Sequence, residues 1–279
     1  MTAVTVSFGC PEVVRNWVER WSLAGASCLV SDNGNSIPAD VHGKAKVLPF
    51  SGNIGFGGGI NRGVLASETP IVLITNPDTL PKSADSLEML RQFHSSGTLS
   101  GAGTFDSSGK AVHSTGIWPD LSWVRSQIFR SAEPLWRPDR FDWLQGSLIM
   151  VHRDEFLKAG GFSDRFPLYF EDVDLCARAK KKGMEIRYCE KCSFIHDEGS
   201  GSAKVTATRL SCFHWGMLQY FRNHDPRNAE AARKMIIAKC LLRSFAHAPV
   251  NHEAARGYSR ALRSVLSGIA PKLPEVSNG

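Results

Sequence analysis

The chain has 279 residues, 42% apolar and 22% charged, enough to bury the core of one large α/β domain or of a domain with a small appendage. No run approaches the ~20 apolar residues a bilayer span needs, no secretory signal pattern opens the sequence, and seven scattered cysteines fit reduced thiols better than a disulfide framework. These features predict a cytoplasmic protein. The net charge of +6 is placed unevenly: residues 221–279 hold ten Lys/Arg and four Asp/Glu, while the first 220 residues balance at 23 of each.

In chain order, Ala3–Phe8 reads as a strand, Pro11–Leu23 as a helix opened by proline, and Ala26–Ser31 as a second strand ending at Asp32-Asn33-Gly34. Lys46–Leu48 is a short third strand, and Gly55–Ala66 a helix entered through glycines. Ile71–Thr75 is a buried strand ending at Asn76-Pro77-Asp78, and Lys82–His94 is a helix. Strands alternating with helices at this spacing imply a mostly parallel sheet covered on both faces, with ligands beyond the strands' carboxyl ends. Asp32 and Asp78 both fall at such ends.

Thr98–Trp118 reads as short strands with a hairpin near Asp106–Gly109. Pro119–Arg140, rich in Arg, Trp and Pro, reads as an irregular, mobile substrate loop. Trp143–Val151 is expected to be one strand. The segments Glu185–Cys189 and Ser193–His196 return to strand, and Val205–Asn223, Arg227–Ala246 and Glu253–Leu266 to helix. There is no internal repeat.

The densest signal is Tyr169-Phe170-Glu171-Asp172-Val173-Asp174, with Arg178 one turn on. It follows Gly160-Gly161 and Pro167, so it opens a helix whose positive end favours carboxylates. Asp174 and Arg178 are i,i+4 neighbours, a pair worth ~0.3–0.5 kcal/mol when exposed. Glu171 and Asp172 occupy the first turn, placed to face a cleft or simply to cap the helix. The run from Asn53 to Gly63 suits close approach of backbone to phosphate or ribose, or a packed strand–helix turn. It matches neither a dinucleotide fingerprint, since residue 60 is Ile, nor a P-loop, since residue 64 is Val. Asn76-Pro77-Asp78 is a turn or a place to present Asp78 to a pyrophosphate-bound cation. Cys189-x2-Cys192 lacks a second pair at zinc spacing, and these cysteines read as strand residues.

The fixed order of these motifs resembles a family 2 glycosyltransferase of GT-A fold, in the rhamnosyltransferase-like branch of O-antigen and cell-wall assembly. The motifs run from Asp32-Asn33-Gly34 through Asn53–Gly63, Asn76-Pro77-Asp78, Gly146, Gly160-Gly161-Phe162 and Tyr169–Arg178 to His196 before Ser200 and Ser202. The resemblance spans about Val4 to Ser202. It implies an inverting, metal-dependent transferase taking its sugar from a nucleotide donor, with dTDP-L-rhamnose favoured and UDP-hexose or UDP-galactofuranose as alternatives, and a growing glycan, free or lipid-linked, as acceptor. Asp172 would be the general base. Asp32, Asn53, Gly55, Gly57, Arg62, Asn76 and Asp78 would border the donor, and Asp78 with His196 would hold Mg²⁺ or Mn²⁺. Glu171, Asp174, Arg178, Trp143 and Gln145 would support the site. Two departures stand out: Asn76 replaces the first acid of an Asp-x-Asp motif, and Ser7-Phe8-Gly9-Cys10 follows no family pattern.

The expected organisation is a catalytic domain over 1–204 (a nucleotide-sugar half, 1–100, and an acceptor half, 101–204) and a basic helical region over 205–279. That region suits peripheral contact with the inner face of the cytoplasmic membrane or a homo-oligomer. The rival from another class is a non-catalytic basic module binding membrane or nucleic acid, which would leave Asp32, Asp78 and Glu171-Asp172 without a task.

Overall fold

The computed structural model describes residues 1–112, 114–129, 140–197 and 206–275. Strand β1 (Thr2–Ser7) is buried along its whole length and leads into α1 (Pro11–Leu23). Proline sits in the first turn of α1, where no amide hydrogen bond is lost. Val14, Trp17, Val18 and Trp21 recur at helical spacing and are buried. The two indoles are satisfied inside the core: Trp17 Nε1 donates to Thr75 Oγ1 (2.9 Å) and Trp21 Nε1 to the Thr79 carbonyl (2.9 Å).

Strands β2 (Ser27–Asp32) and β3 (Lys46–Leu48) follow, then α2 (Gly55–Ala66), β4 (Ile71–Thr75) and β5 (Thr79–Pro81). Helix α2 owes its place to its glycines. A Cβ on Gly59 would lie 2.6 Å from Val6 Cγ2 and one on Gly63 2.3 Å from Val4 Cγ1, so only glycine lets the helix axis settle this close to β1. Next come α3 (Ala84–Phe93), β6 (Thr98–Phe105), β7 (Ala111–Val112) and β8 (Thr115–Gly116).

The segment expected to be irregular contains α4 (Leu121–Phe129). Asp120 caps it, its Oδ1 accepting from the Trp123 amide (2.8 Å) and the Ser122 hydroxyl (2.7 Å). The rest of that expected substrate loop, 130–139, lies outside the described residues, as do Ser200 and Ser202. The single strand expected over Trp143–Val151 is two, β9 (Trp143–Leu144) and β10 (Leu148–His152), parted by a turn at Gln145-Gly146-Ser147. After these come α5 (Arg153–Ala159), α6 (Glu171–Lys181), β11 (Glu185–His196), α7 (Thr206–His224), α8 (Ala229–His247) and α9 (His252–Ser267).

The main sheet runs β3-β2-β1-β4-β10-β6-β11-β5. Its first four strands are parallel, β10 enters antiparallel to β4 and β6, and β11 lies parallel to β6 and antiparallel to β5. This is a mixed α/β sheet with separate apolar cores on its two faces. A third core joins Trp123, Phe166, Phe170 and Val173 to Met217, Phe221, Ile236 and Val265; α7 packs on the acid-cluster helix, and α8 and α9 extend the same core behind it.

One expectation about cysteines is corrected. Cys189 and Cys192 form a disulfide, with Cα atoms 5.4 Å apart, across the irregularity that shifts the β11 register between Cys189 and Ser193. In a regular strand, residues three apart face opposite sides; the bulge turns both sulfurs together. The other five cysteines are free and buried.

Candidate active site

The carboxyl ends of β1 and β4, the start of α2, the Gln145-Gly146-Ser147 turn and the N-terminal turns of α6 and α7 enclose a cleft of about 470 Å³. Asn53, Gly55, Asn76, Asp78, Gln145, Glu171, Asp172 and His196 line it. Residues separated by up to 143 positions therefore converge on one volume.

The backbone sets up the acid pair. Tyr169 (φ 67°) and Phe170 (φ 70°) are consecutive non-glycine residues in the left-handed region, an arrangement that costs about 1–3 kcal/mol per residue unless the surroundings enforce it. Gly216 on α7 makes room for it: a Cβ there would come within 2.7 Å of the Tyr169 carbonyl oxygen. The double turn ends at the first residue of α6 and sends Glu171 and Asp172 toward the cleft.

Each carboxylate of the motif has a different environment. Asp172, half-buried, accepts from the Gly146 amide at Oδ2 (2.9 Å) and the Val173 amide at Oδ1 (2.8 Å). Burial raises its pKa above the usual carboxylate value, and the two amides oppose that shift. Glu171 is 5% exposed and its Oε2 finds no hydrogen-bond partner among the described residues. Burial first, and then the neighbouring Asp172 charge, push its pKa well above the ordinary value. Of the two, Glu171 is the harder to ionise, and Asp172, with its two amide donors, the easier.

Asp174 turns the other way, into the protein. Its carboxylate accepts from Arg178 Nε (2.7 Å) and His224 Nε2 (2.7 Å). Arg178 also donates to the Ala159 and Gly161 carbonyls (2.6 Å each). The expected i,i+4 pair is present, not as an exposed contact but as a buried clamp tying α6 to the end of α5 and to α7.

On the opposite wall, His196 at the end of β11 is 2% exposed, with Nε2 3.4 Å from both Asp78 Oδ1 and Asn76 Nδ2. Antiparallel pairing of His196 with Thr79 fixes this approach. A carboxylate and an imidazole meeting at one point fit a divalent cation that takes few protein ligands and fills its shell with phosphate and water. Among the described residues no group of three or more His, Cys, Asp or Glu forms a complete cage, so substrate would have to supply the remaining ligands.

Several expected site residues lie outside the cleft lining. Asp32 is buried, and its Oδ1 accepts from the Gly34 amide (2.9 Å), shaping its own turn beside the lining residue Asn33. Gly57 packs under Phe162, where a Cβ would come within 2.8 Å. Arg62 donates to the Pro49 carbonyl (2.6 Å), and Trp143 Nε1 to the Ile117 carbonyl (3.0 Å). Asn53 does line the cleft and divides its amide group: Oδ1 accepts from the Gly55 amide (3.2 Å), and Nδ2 donates to the Pro274 carbonyl (2.8 Å).

Other lining residues had no motif to mark them. Thr208 and Arg209 enter from the first turn of α7, and Leu273 and Pro274 from the segment after α9. Arg209 is the only arginine or lysine among the described lining residues. Its signal in the sequence was faint: a lone arginine just beyond the Gly/Ser run 199–202.

No family model matches the sequence. It is 28% identical over 252 residues to the N-acetylglucosaminyl-diphospho-decaprenol L-rhamnosyltransferase of Mycobacterium tuberculosis, covering 77% of this chain and 80% of that one. It is 26% identical over 165 residues to the rhamnosyltransferase WbbL of Escherichia coli, covering 54% of this chain and 60% of that one. Among solved structures, a mannosyltransferase from Pyrobaculum calidifontis in complex with GDP-Man and Mn²⁺ superposes with a TM-score of 0.53 at 12% identity, covering 98% of this chain and 76% of that one. The last likeness concerns the fold.

Fold and relatives together make the chain an enzyme, a glycosyltransferase of GT-A architecture. Its relatives are rhamnosyltransferases, and it resembles the family 2 glycosyltransferases of the rhamnosyltransferase type. A non-catalytic basic module is thereby set aside.

Proposed function

We propose that the enzyme transfers L-rhamnose, with inversion, from dTDP-β-L-rhamnose to a hydroxyl of a lipid-linked bacterial surface glycan. The observation that carries this is the amide-held carboxylate of Asp172, in one cleft with the Asp78–His196 pair. Similarity to two rhamnosyltransferases, one named for a diphospho-decaprenol acceptor, supports the sugar and the acceptor class.

In this reading Asp172 takes the proton of the attacking hydroxyl, and the amides of Gly146 and Val173 hold its oxygens in place as it does so. Inversion needs one base and no protein nucleophile. Asp78 and His196, with Asn76 beside them, would hold Mg²⁺ or Mn²⁺, which when bound neutralises charge on the departing diphosphate. Arg209 adds a guanidinium suited to phosphate oxygens. Asn53, Gly55 and Asn33 border the nucleotide, with Asp32 shaping the turn that presents Asn33. Residues 1–100 then serve the donor, 101–204 the acceptor and catalysis, and 205–279 attachment at the inner membrane face.

The test is product analysis with a panel of dTDP- and UDP-sugars, with and without EDTA. The expected result is metal-dependent transfer from dTDP-rhamnose with an inverted anomeric centre. Asp172→Asn should lower turnover ~10²–10⁴-fold with donor affinity nearly intact. Near-wild-type turnover in that variant removes Asp172 as base, and transfer from UDP-hexose or UDP-galactofuranose in place of dTDP-rhamnose replaces the donor.

A further inference from the structure

Helix α8 changes character half-way along. Up to residue 240, Ala232, Ile236 and Cys240 are buried in the third core, and Met235 and Ile237 pack against it. In its second half the large side chains have no such cover: Leu241 is 41% exposed, Leu242 53% and Phe245 77%, with Val250 in the following turn at 79%. In the sequence Met235, Ile236, Ile237, Leu241, Leu242 and Phe245 suit either an interfacial face or packing on the catalytic domain or a second subunit; the fold packs the first three against the core and leaves the last three exposed.

The exposed set lies at the cleft end of the helical bundle. Three residues past Val250, Glu253 Oε1 accepts from the Ala207 amide (3.1 Å), and Gly257 packs so close to α7 that a Cβ there would lie 3.0 Å from Ala207 Cα. The next two residues, Thr208 and Arg209, line the cleft. Residues 229–267 hold seven Lys/Arg against two Asp/Glu, and Lys234, Arg256, Arg260 and Arg263 are exposed.

We infer that Leu241, Leu242, Phe245 and Val250 insert into an anionic bilayer and hold the cleft at its surface. Apolar side chains on a helix flanked by cations are the composition of an interfacial element. No helix among the described residues is long and apolar enough to cross a membrane, so the patch lies on the bilayer. A second copy is the poorer occupant, because a self-complementary contact brings the same cationic surroundings against themselves. The benefit to catalysis rests on the lipid-linked acceptor proposed above; the binding itself does not.

The experiment is co-sedimentation of the full chain with phosphatidylglycerol/phosphatidylcholine vesicles and with phosphatidylcholine alone. Binding is expected to the anionic vesicles at about 0.1 M NaCl and to weaken at about 1 M. Leu242→Glu combined with Phe245→Glu should cut the bound fraction about tenfold or more, since inserted apolar area is lost and negative charge gained. Thermal unfolding and transfer to a detergent-solubilised acceptor should stay as in the wild type. Absence of binding at low salt, or undiminished binding by the double variant, overturns the inference. So does a dimer that dissociates in the double variant without any vesicle binding. Vesicle binding without rhamnose transfer would instead sink the functional reading and leave the patch standing.

Discussion

Asp174→Asn separates structure from chemistry within the acid motif. Asp174 is 1% exposed, and its two oxygens accept from one donor each, Arg178 Nε and His224 Nε2, both at 2.7 Å. Through Arg178 the same carboxylate orders the Ala159 and Gly161 carbonyls, where Gly160 (φ 93°) and Gly161 (φ 58°) reverse the chain out of α5. An asparagine keeps the shape but removes the charge and points an amide donor at one of two donors. Breaking a buried pair costs about 3–5 kcal/mol, and the partial exposure of Arg178 lowers that to about 2–4 kcal/mol here.

A pH signature identifies the cause. Burial would raise the Asp174 pKa, but His224 and Arg178 outweigh it and hold the group below the ordinary value. A depressed folded pKa means that the unfolded chain binds more protons just below that ordinary value. The stabilisation is therefore present above the usual carboxylate range and lost as pH falls through the folded pKa. Urea unfolding from pH 7 down to about pH 3 should show wild type and variant converging. A loss below about 1 kcal/mol at pH 7, or a constant gap across that range, refutes the clamp.

Two further outcomes follow from buried or site charges. Lys239 is 2% exposed, its Nζ has no hydrogen-bond partner among the described residues, and burial, aided by Arg243, drives its pKa down to about 8. The folded state resists that proton, so Lys239→Met should be more stable at pH 7 by about 1–3 kcal/mol, the gap closing as pH rises from about 8 towards 10.5; difference unfolding curves read this directly, and a less stable variant contradicts it. Asp78→Ala should weaken donor binding in the presence of Mg²⁺ or Mn²⁺ and leave binding in EDTA unchanged, since Asn76 brings no charge; calorimetry showing the same metal response as wild type removes Asp78 as a ligand.

What the sequence shows and hides follows from the range of the interactions. The βα alternation is legible because each apolar run is closed by its own turn residues, and α1 because its Val and Trp spacing is local. Helix α4 is obscured by Trp and Arg, although Pro119-Asp120 ahead of Leu121 and Val124 is a capping signal. The break between β9 and β10 sits at Gln145-Gly146-Ser147, and what uses that turn is Asp172, 26 residues away. Arg178 looks like an i,i+4 partner because its carbonyl acceptors lie 17 and 19 residues back. The glycines of α2 invite a phosphate-loop reading, yet Gly59 and Gly63 are spent on contact with β1, which only the assembled sheet reveals. The α8 apolar run is ambiguous for the same reason: identical residue types face a core at one end and solvent at the other.

Glu171 and Asp172 differ less in chemistry than in what the first turn of α6 does with them. One step along a helix rotates a side chain by about 100°. Asp172 is carried to the Gly146 and Val173 amides, and Glu171 to a buried place where its Oε2 finds no hydrogen-bond partner among the described residues. Two adjacent carboxyls in one low-dielectric site oppose each other's ionisation, and the one with hydrogen-bond donors ionises more readily. Glutamine at 171 imitates the protonated acid in size and neutrality. Glu171→Gln should therefore keep turnover within about tenfold of wild type at pH 7, against the ~10²–10⁴-fold loss expected of Asp172→Asn. The acid limb of the pH–rate profile should persist in Glu171→Gln, above the usual carboxylate range, because it belongs to Asp172. If instead Glu171→Gln loses as much as Asp172→Asn, the proton has been assigned to the wrong acid, and Glu171 is the base.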